Sequence, residues 1–367
     1  MKFNAAVLHQ VHKPLTIERV EADLRAPDDV AVRIRATSLC HTDLEVIEGQ
    51  LAYPLPIVLG HEAAGTVEAV GPAVTGLASG DHVILSWNPH CGHCFYCSQD
   101  EPILCETYLG LGPQAVPFDG VPRLSLDGRP LHHMFYLASF AEYAIVPAQS
   151  AIKVPAEIPF DRACLIGCGV MTGAGAALKV TRPAPGAAVA VLGCGGVGLS
   201  AVQGARIAGA GAVVAIDPVA AKRELAVKLG ASHAIDPQQE DAVREVKRLT
   251  GGRGADVVIE AAGTDAAFRL SVEVARPGAQ VAWLGKVNVE REVAFRWGSL
   301  MGEKRIVRSS YGNARPQRDF PWLARLYLEG KLKLDEMIDR RLSLDEINDG
   351  FDGVRNSTVV RAVIQFS

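Results

Sequence analysis

A strand-like run that breaks on glycines and restarts as a helix limits the fold of this chain more than any other stretch. Ala187-Ala188-Val189-Ala190-Val191-Leu192 is apolar without interruption, as a strand covered on both faces must be. Gly193-Cys194-Gly195-Gly196-Val197-Gly198 follows, and then a helix-length segment. In such a unit the first glycine permits a tight turn and the next brings backbone N–H groups against a pyrophosphate. The last glycine lets helix and strand pack closely. The helix N-terminus favours phosphate charge. Asp217 ends the next strand-like run, where a carboxylate accepts from a ribose 2′-OH and repels a 2′-phosphate. NAD is therefore expected over NADP.

The alternation continues downstream. Ala212-Val213-Val214-Ala215-Ile216, His233-Ala234-Ile235, Ala255-Asp256-Val257-Val258-Ile259-Glu260, Ala279-Gln280-Val281-Ala282-Trp283-Leu284 and Arg305-Ile306-Val307 are short strand-like runs, most of them separated by helix-length stretches. That spacing predicts an α/β, doubly wound parallel sheet. Residues 1–85 read differently. Short β-rich runs are broken by Pro27, Pro54, Pro56, Gly71-Pro72 and Gly80, the pattern of a compact, partly open barrel. Residues 86–135 read as loop. The stretch after residue 312 holds a helix and the strand Ala362-Val363-Ile364, and is expected to dock back onto the first domain.

Size and charge set the outer limits. With 367 residues and 49% hydrophobic content, the chain can build two cores. Its 37 basic and 41 acidic residues are interspersed, which argues against a nucleic-acid or anionic-membrane surface. The uncharged run 186–205 has the length of a membrane span. Its glycines fit a strand, a turn and a helix start better. No signal-peptide pattern precedes the first strand-like run, so a cytoplasmic location is expected.

Four cysteines fall within one polar loop, as Cys91-x2-Cys94-x2-Cys97-x7-Cys105. Thiolates this close can close a tetrahedral shell around a structural zinc. An iron–sulfur cluster uses similar spacing, and free exposed cysteines are the bland alternative; zinc is favoured. The other notable stretch is Cys40-His41-Thr42-Asp43, just after the alternating run Val30-Ala31-Val32-Arg33-Ile34-Arg35. A soft metal ligand, a cation, a hydroxyl and a carboxylate in succession are poor core material and suit the floor of an active site. His61 and Cys168 are isolated in Gly60-His61-Glu62 and Gly167-Cys168-Gly169. Spacing alone does not join them to Cys40.

Taken together and in this order, the motifs resemble the zinc-dependent medium-chain alcohol dehydrogenases, of the longer type related to the animal liver enzymes. The match runs through Cys40-His41-Thr42-Asp43, Gly60-His61-Glu62-Ala63-Ala64-Gly65, the four-cysteine lobe and Cys164-Leu165-Ile166-Gly167-Cys168-Gly169. It continues through the Gly193 to Gly198 loop, Asp217, Lys222, Gly350-Phe351-Asp352 and Arg361. The resemblance implies a GroES-like β-rich catalytic domain (residues 1–169 with 313–367), a Rossmann domain (170–312), a cleft between them that closes on NAD, and a homodimer. It implies two zinc ions, one structural at Cys91, Cys94, Cys97 and Cys105, and one catalytic at Cys40, His61 and Cys168. Two thiolates and one imidazole leave a fourth position open for substrate. Glu62 would lie behind that zinc as an occasional ligand, and Asp43 would orient His61. Thr42 would take the alcohol proton. His41 and Arg361 would touch the cofactor pyrophosphate, Asp217 and Lys222 the adenosine ribose, and Val197 and Thr172 the nicotinamide.

The departures bear on substrate. Many relatives have a histidine at the solvent end of the proton relay, where this chain has Glu45, either a terminal base or a solvated helix residue. The glutathione-dependent formaldehyde dehydrogenase branch holds its charged adduct with an acid and an arginine; the aligned positions here are Leu51 and Leu109. That argues against glutathione, though not against another thiol carrier. Trp87, Met134 and Phe135 stand at expected pocket positions and point to an uncharged, bulky or aromatic primary alcohol, with ordinary core packing as the bland alternative. Lys286, where relatives usually place an apolar residue, is unexplained. A zinc-free quinone or enoyl reductase would lack the cysteine lobe. A zinc-ribbon binding module would need a basic or aromatic surface, and Asp100, Glu101 and Glu106 are acidic.

Overall fold

In the computed structural model, which describes all residues from Met1 to Ser367, the chain forms two compact units. One comprises Met1–Cys168 and Arg315–Ser367, the other Gly169–Ala314.

The spine of the first unit is the strand Asp29–Ser38, buried at nearly every position except Arg33. The alternation of its sequence is weak because both edges are paired. Ala63–Val70 lies antiparallel on one side, and Tyr143–Pro147 and Ala362–Gln365 pair with successive parts of the other. Val363 stands opposite Ser38, and the Leu39 N–H donates to the Ala362 carbonyl at 2.9 Å. That pairing delivers Arg361 to the junction where Cys40 begins. A small closed barrel is built from Lys2–Leu8, Thr16–Ala22, Leu124–Leu126, Arg129–His133 and Ile57–Val58.

Residues 86–135 are therefore not all loop, contrary to the sequence expectation. Leu126 pairs with Arg129 across Asp127-Gly128, whose φ angles are 49° and 75°. Two left-handed residues are what a two-residue hairpin of the right twist demands, and Asp-Gly is its signature.

The second unit is a six-stranded, all-parallel sheet. Its spatial order is His233–Ile235, Ala212–Ile216, Ala188–Leu192, Ala255–Glu260, Ala275–Trp283, Arg305–Arg308. Order 3-2-1-4-5-6 is that of a dinucleotide-binding Rossmann sheet, with a switch point beside its first strand. Residues 189–192 are buried because helices cover both faces. The uncharged run 186–205 resolves into this strand, the glycine loop and the helix Gly196–Ile207. A different segment, Phe160–Thr181, has the length and apolarity of a membrane span, but 72% of its most apolar window is buried in the protein. It is a core helix.

Candidate active site and metal centres

Cys40 lies two residues beyond the spine strand and caps the helix His41–Ile47. Asp43 sits one turn in, and its carboxylate accepts from the Cys40 N–H at 3.2 Å, closing a reciprocal cap. The same carboxylate accepts from the Gly60 N–H and from His61 Nδ1, each at 3.0 Å. A carboxylate accepts only, so Nδ1 carries the proton and Nε2 is left with its lone pair for a metal. Asp43 and His61 are 0% and 1% exposed. One buried acid thus fixes the thiol position of Cys40 and the ring of His61 together.

Cys168 arrives from the third direction. It sits in a π-helical stretch, Ile166–Val170, inside the long apolar helix. Such bulges shift a side chain off the regular helical register and recur at functional sites. The ligand atoms of Cys40, His61 and Cys168 all lie within 4.8 Å of one another. The hydrogen bond from Cys168 holds the Cys40 thiol well below its ordinary range, while Cys168 is pushed well above by the same contact and by burial. Two sulfurs this close to one another and to an imidazole are a donor set suited to a cation.

Behind this set, Glu62 is fully buried and lies 3.6 Å from Arg361. Burial opposes the Arg361 charge, but Glu62 and the two sulfurs hold its pKa above the ordinary range. Thr42 and Glu45 are half-buried and three residues apart, on one face of the helix that carries Asp43. His41 is exposed.

The second donor set is Cys91, Cys94, Cys97 and Cys105, whose sulfurs also lie within 4.8 Å of one another. The Cys91 N–H points at Cys105 Sγ at 3.3 Å and the Cys94 N–H at Cys91 Sγ at 3.4 Å. Although burial raises it, Cys91 is brought down to about 6 by backbone N–H groups and neighbouring side chains. Cys97 is pushed up to about 12, first by burial. The lobe is tied down by Arg315, which meets the Asp100 carboxylate at 2.6 Å and its carbonyl at 2.7 Å.

An aromatic wall links the two sets. Phe135 lies edge-on to His61 at 5.4 Å, with Trp87 at 5.2 Å and Tyr53 at 6.0 Å between ring centroids. Tyr108 extends the wall from Trp87 toward the lobe, where it packs with Cys105. Phe135 has φ 49° and ψ 36°, a left-handed conformation that is rare for an aromatic residue. Strain of this kind persists where the surroundings over-determine it, often at a binding site. Met134 is fully buried in the core with Leu59 and Phe140. Tyr53 packs partly buried against the same cluster, and nothing local in the sequence distinguishes it from a core tyrosine. Leu51 is half-buried and Leu109 is 53% exposed.

In the second unit the three glycines of the loop separate by role. A Cβ on Gly198 would come within 1.7 Å of the Gly193 carbonyl, so the fold itself requires that glycine. A Cβ on Gly195 would meet nothing within 4 Å. No protein neighbour requires a glycine there; a phosphate against the backbone would. Asp217 is 6% exposed and accepts from the Cys194 N–H at 2.7 Å and the Val219 N–H at 2.8 Å. It clamps the loop and keeps lone pairs on both oxygens. Lys222 is half-buried, and Arg223, a basic neighbour missed in the sequence, donates to the Asp217 carbonyl at 2.7 Å and pairs with Asp236 at 3.1 Å. A Cβ on Gly173 would come within 2.0 Å of the Val197 carbonyl, which places Thr172 beside the loop. Lys286 is exposed.

Residues 26–156 match the alcohol dehydrogenase GroES-like domain, and residues 196–329 match zinc-binding dehydrogenase. The chain is 39% identical over 371 residues to the NDMA-dependent alcohol dehydrogenase of Amycolatopsis methanolica, covering 100% of both. The chain belongs to the zinc-dependent medium-chain alcohol dehydrogenase family. It is also 39% identical to a geraniol dehydrogenase of Castellaniella defragrans, over 99% of this chain and 97% of that one. The crystal structure of benzyl alcohol dehydrogenase from Acinetobacter calcoaceticus superposes with a TM-score of 0.95 at 31% identity, over 100% of each chain. In this family a Cys2His set with an open position is the known catalytic zinc pattern, and this chain is accordingly an alcohol dehydrogenase.

Proposed function

We propose that this enzyme oxidises an uncharged primary alcohol, aromatic or otherwise bulky, to its aldehyde with NAD, and runs the reaction in reverse. The observation that carries the reading is the convergence of Cys40, His61 and Cys168 within 4.8 Å beside the Phe135, Trp87 and Tyr53 rings. Those donors fit a catalytic zinc, the four lobe cysteines fit a structural one, and Gly195 fits a pyrophosphate. When bound, zinc lowers the pKa of an alcohol and NAD accepts hydride.

The chain's own residues supply the rest. Asp43 keeps His61 in the ligating tautomer. The Thr42 hydroxyl takes the alcohol proton, and Glu45, one turn further along the helix, passes it to solvent. The aromatic wall excludes water and favours flat, apolar substrates by stacking. Asp217 receives the adenosine ribose with Lys222. Arg223 is already engaged by Asp236, which supports NAD over its 2′-phosphate. The names of the geraniol and benzyl alcohol relatives fit the same substrate class. A homodimer is supported by the edge strand Arg305–Arg308, exposed throughout, with Ile306 and Val307 38% and 41% exposed. Eight free cysteines fit a reducing, cytoplasmic setting.

The test is metal content measured beside NAD and NADP reduction on primary, aromatic and thiol-adduct alcohols. About two zinc per chain and turnover of uncharged alcohols with NAD is the expected result. Activity confined to a thiol adduct would keep the chemistry and overturn the substrate class; one zinc without turnover would overturn the site. A second expectation concerns the proton path. Glu45→Gln shifts the pH dependence of alcohol oxidation, and an unchanged profile removes Glu45 from the relay.

A further inference from the structure

The strand paired beside Ala188–Leu192 ends in an acid that the dinucleotide loop does not account for. Glu260 closes the strand Ala255–Glu260 and is 0% exposed. A carboxylate is costly in a sheet interior unless donors surround it. Here one turn supplies donors to the carboxylate, and the next supplies donors to the carbonyl of the same residue. Glu260 Oε1 accepts from the Ala262 N–H at 2.8 Å and the Gly263 N–H at 2.7 Å. Oε2 lies against Gly285, where an added Cβ would stand 2.4 Å away. The Glu260 carbonyl accepts from Leu284 N–H at 2.8 Å and Gly285 N–H at 3.2 Å. Burial pushes the carboxyl pKa up, while the N–H groups of Gly263, Ala262 and Gly285 and the charge of Arg308 pull it back.

The turns it holds are pressed together in series. A Cβ on Gly193 of the dinucleotide loop would come within 2.7 Å of the Ala262 nitrogen. A Cβ on Gly263 would come within 2.6 Å of the Lys286 carbonyl. So the glycine loop sets the position of the 262–263 turn, and that turn sets the 285–286 turn. All three lie at carboxyl ends of neighbouring parallel strands, where ligands of such sheets bind. In the strand order 3-2-1-4-5-6, the half containing the glycine loop and Asp217 takes the ADP moiety. The half containing Glu260 faces the other end of a dinucleotide.

We infer that Glu260 is a positioning residue for the nicotinamide end of the cofactor: its carboxylate fixes the 262–263 turn, and the 285–286 turn packed against it follows, at the distance that end requires. The inference rests on the proposed use of NAD. Glu260 touches no ligand itself. Its carboxylate holds the Ala262 and Gly263 N–H groups and its carbonyl those of Leu284 and Gly285, so that one residue ties both turns.

The test compares NADH with ADP-ribose, which lacks the nicotinamide, by direct binding to the full-length zinc-loaded protein. Glu260→Gln keeps one acceptor for Ala262 and Gly263 but sets an N–H2 group against Gly285. It is expected to raise the NADH dissociation constant roughly tenfold, the loss of one charge-assisted bond, and to leave ADP-ribose binding within about twofold. Glu260→Asp withdraws the carboxylate by one methylene, keeps its charge, and is expected to show the same selective loss if the glutamine variant is insoluble. Equal weakening of both ligands, or of neither, in whichever variant folds overturns the inference, as does the insolubility of both. Failure of the unaltered protein to bind NADH would instead refute the use of NAD.

Discussion

Cys168→Ser is expected to remove one zinc equivalent and lower kcat/KM on the best alcohol by about a thousandfold or more, since even changes behind a ligand cost 10- to 100-fold. A serine hydroxyl stays protonated near neutral pH and is a hard donor, whereas the thiolate is soft and charged. The loss is specific to the site because Cys168 reaches it from the π-helical stretch Ile166–Val170, while Cys40 and His61 are set independently by Asp43. The substitution leaves the four lobe cysteines untouched, so metal analysis is expected to give about one zinc per chain with the circular dichroism of the native fold. Full turnover with one zinc would mean that the Cys40, His61 and Cys168 set is not where alcohol is activated. Asp43→Asn is expected to cost less in turnover, about 10- to 100-fold. The amide can still accept from His61 Nδ1, but without charge.

How much of this was legible in the sequence depends on the range of each interaction. The parallel sheet was, because residues 188–192 must be apolar on both faces and a glycine loop must follow. The four-cysteine cluster was legible for the same reason: its ligands are neighbours in the chain. The catalytic set was not legible from spacing. Cys40, His61 and Cys168 come from a strand end, a turn after Gly60 and a helix bulge, and only family resemblance joined them. The hairpin Leu124–Leu126 with Arg129–His133 carried the signal Asp127-Gly128, but its strands are too short for alternation to register. The left-handed turn at Phe135 and the full burial of Met134 beside it are set by tertiary packing, which no periodicity reveals. Glu260 was hidden differently. It reads correctly as the last residue of a strand, but nothing in the sequence shows that its carboxylate is fully buried.

The glycine loop separates what the fold needs from what the ligand needs, and this gives the second large effect. Gly195 has φ −75°, open to any residue, and an added Cβ would meet no atom within 4 Å. Gly195→Ala is therefore expected to fold with unchanged melting temperature and to retain its zinc. Its methyl occupies the place where the backbone meets the pyrophosphate, so NADH affinity is expected to fall by about a hundredfold or more, as when close approach and N–H contacts are both lost. Gly198→Ala is expected to fail earlier. Its Cβ would stand 1.7 Å from the Gly193 carbonyl, so helix and strand cannot both keep their places. The cost exceeds about 4 kcal/mol, an exceptional value for one methyl, and the variant is expected to be insoluble or to melt far below the parent. The two alanines differ by three positions in one loop and add the same atom, so only its surroundings can separate them. If Gly195→Ala bound NADH like the parent, the open space above that glycine would not be the pyrophosphate cradle. The dinucleotide would then have to be held by Asp217 and the later turns alone, a geometry in which the helix Gly196–Ile207 contributes nothing to phosphate binding.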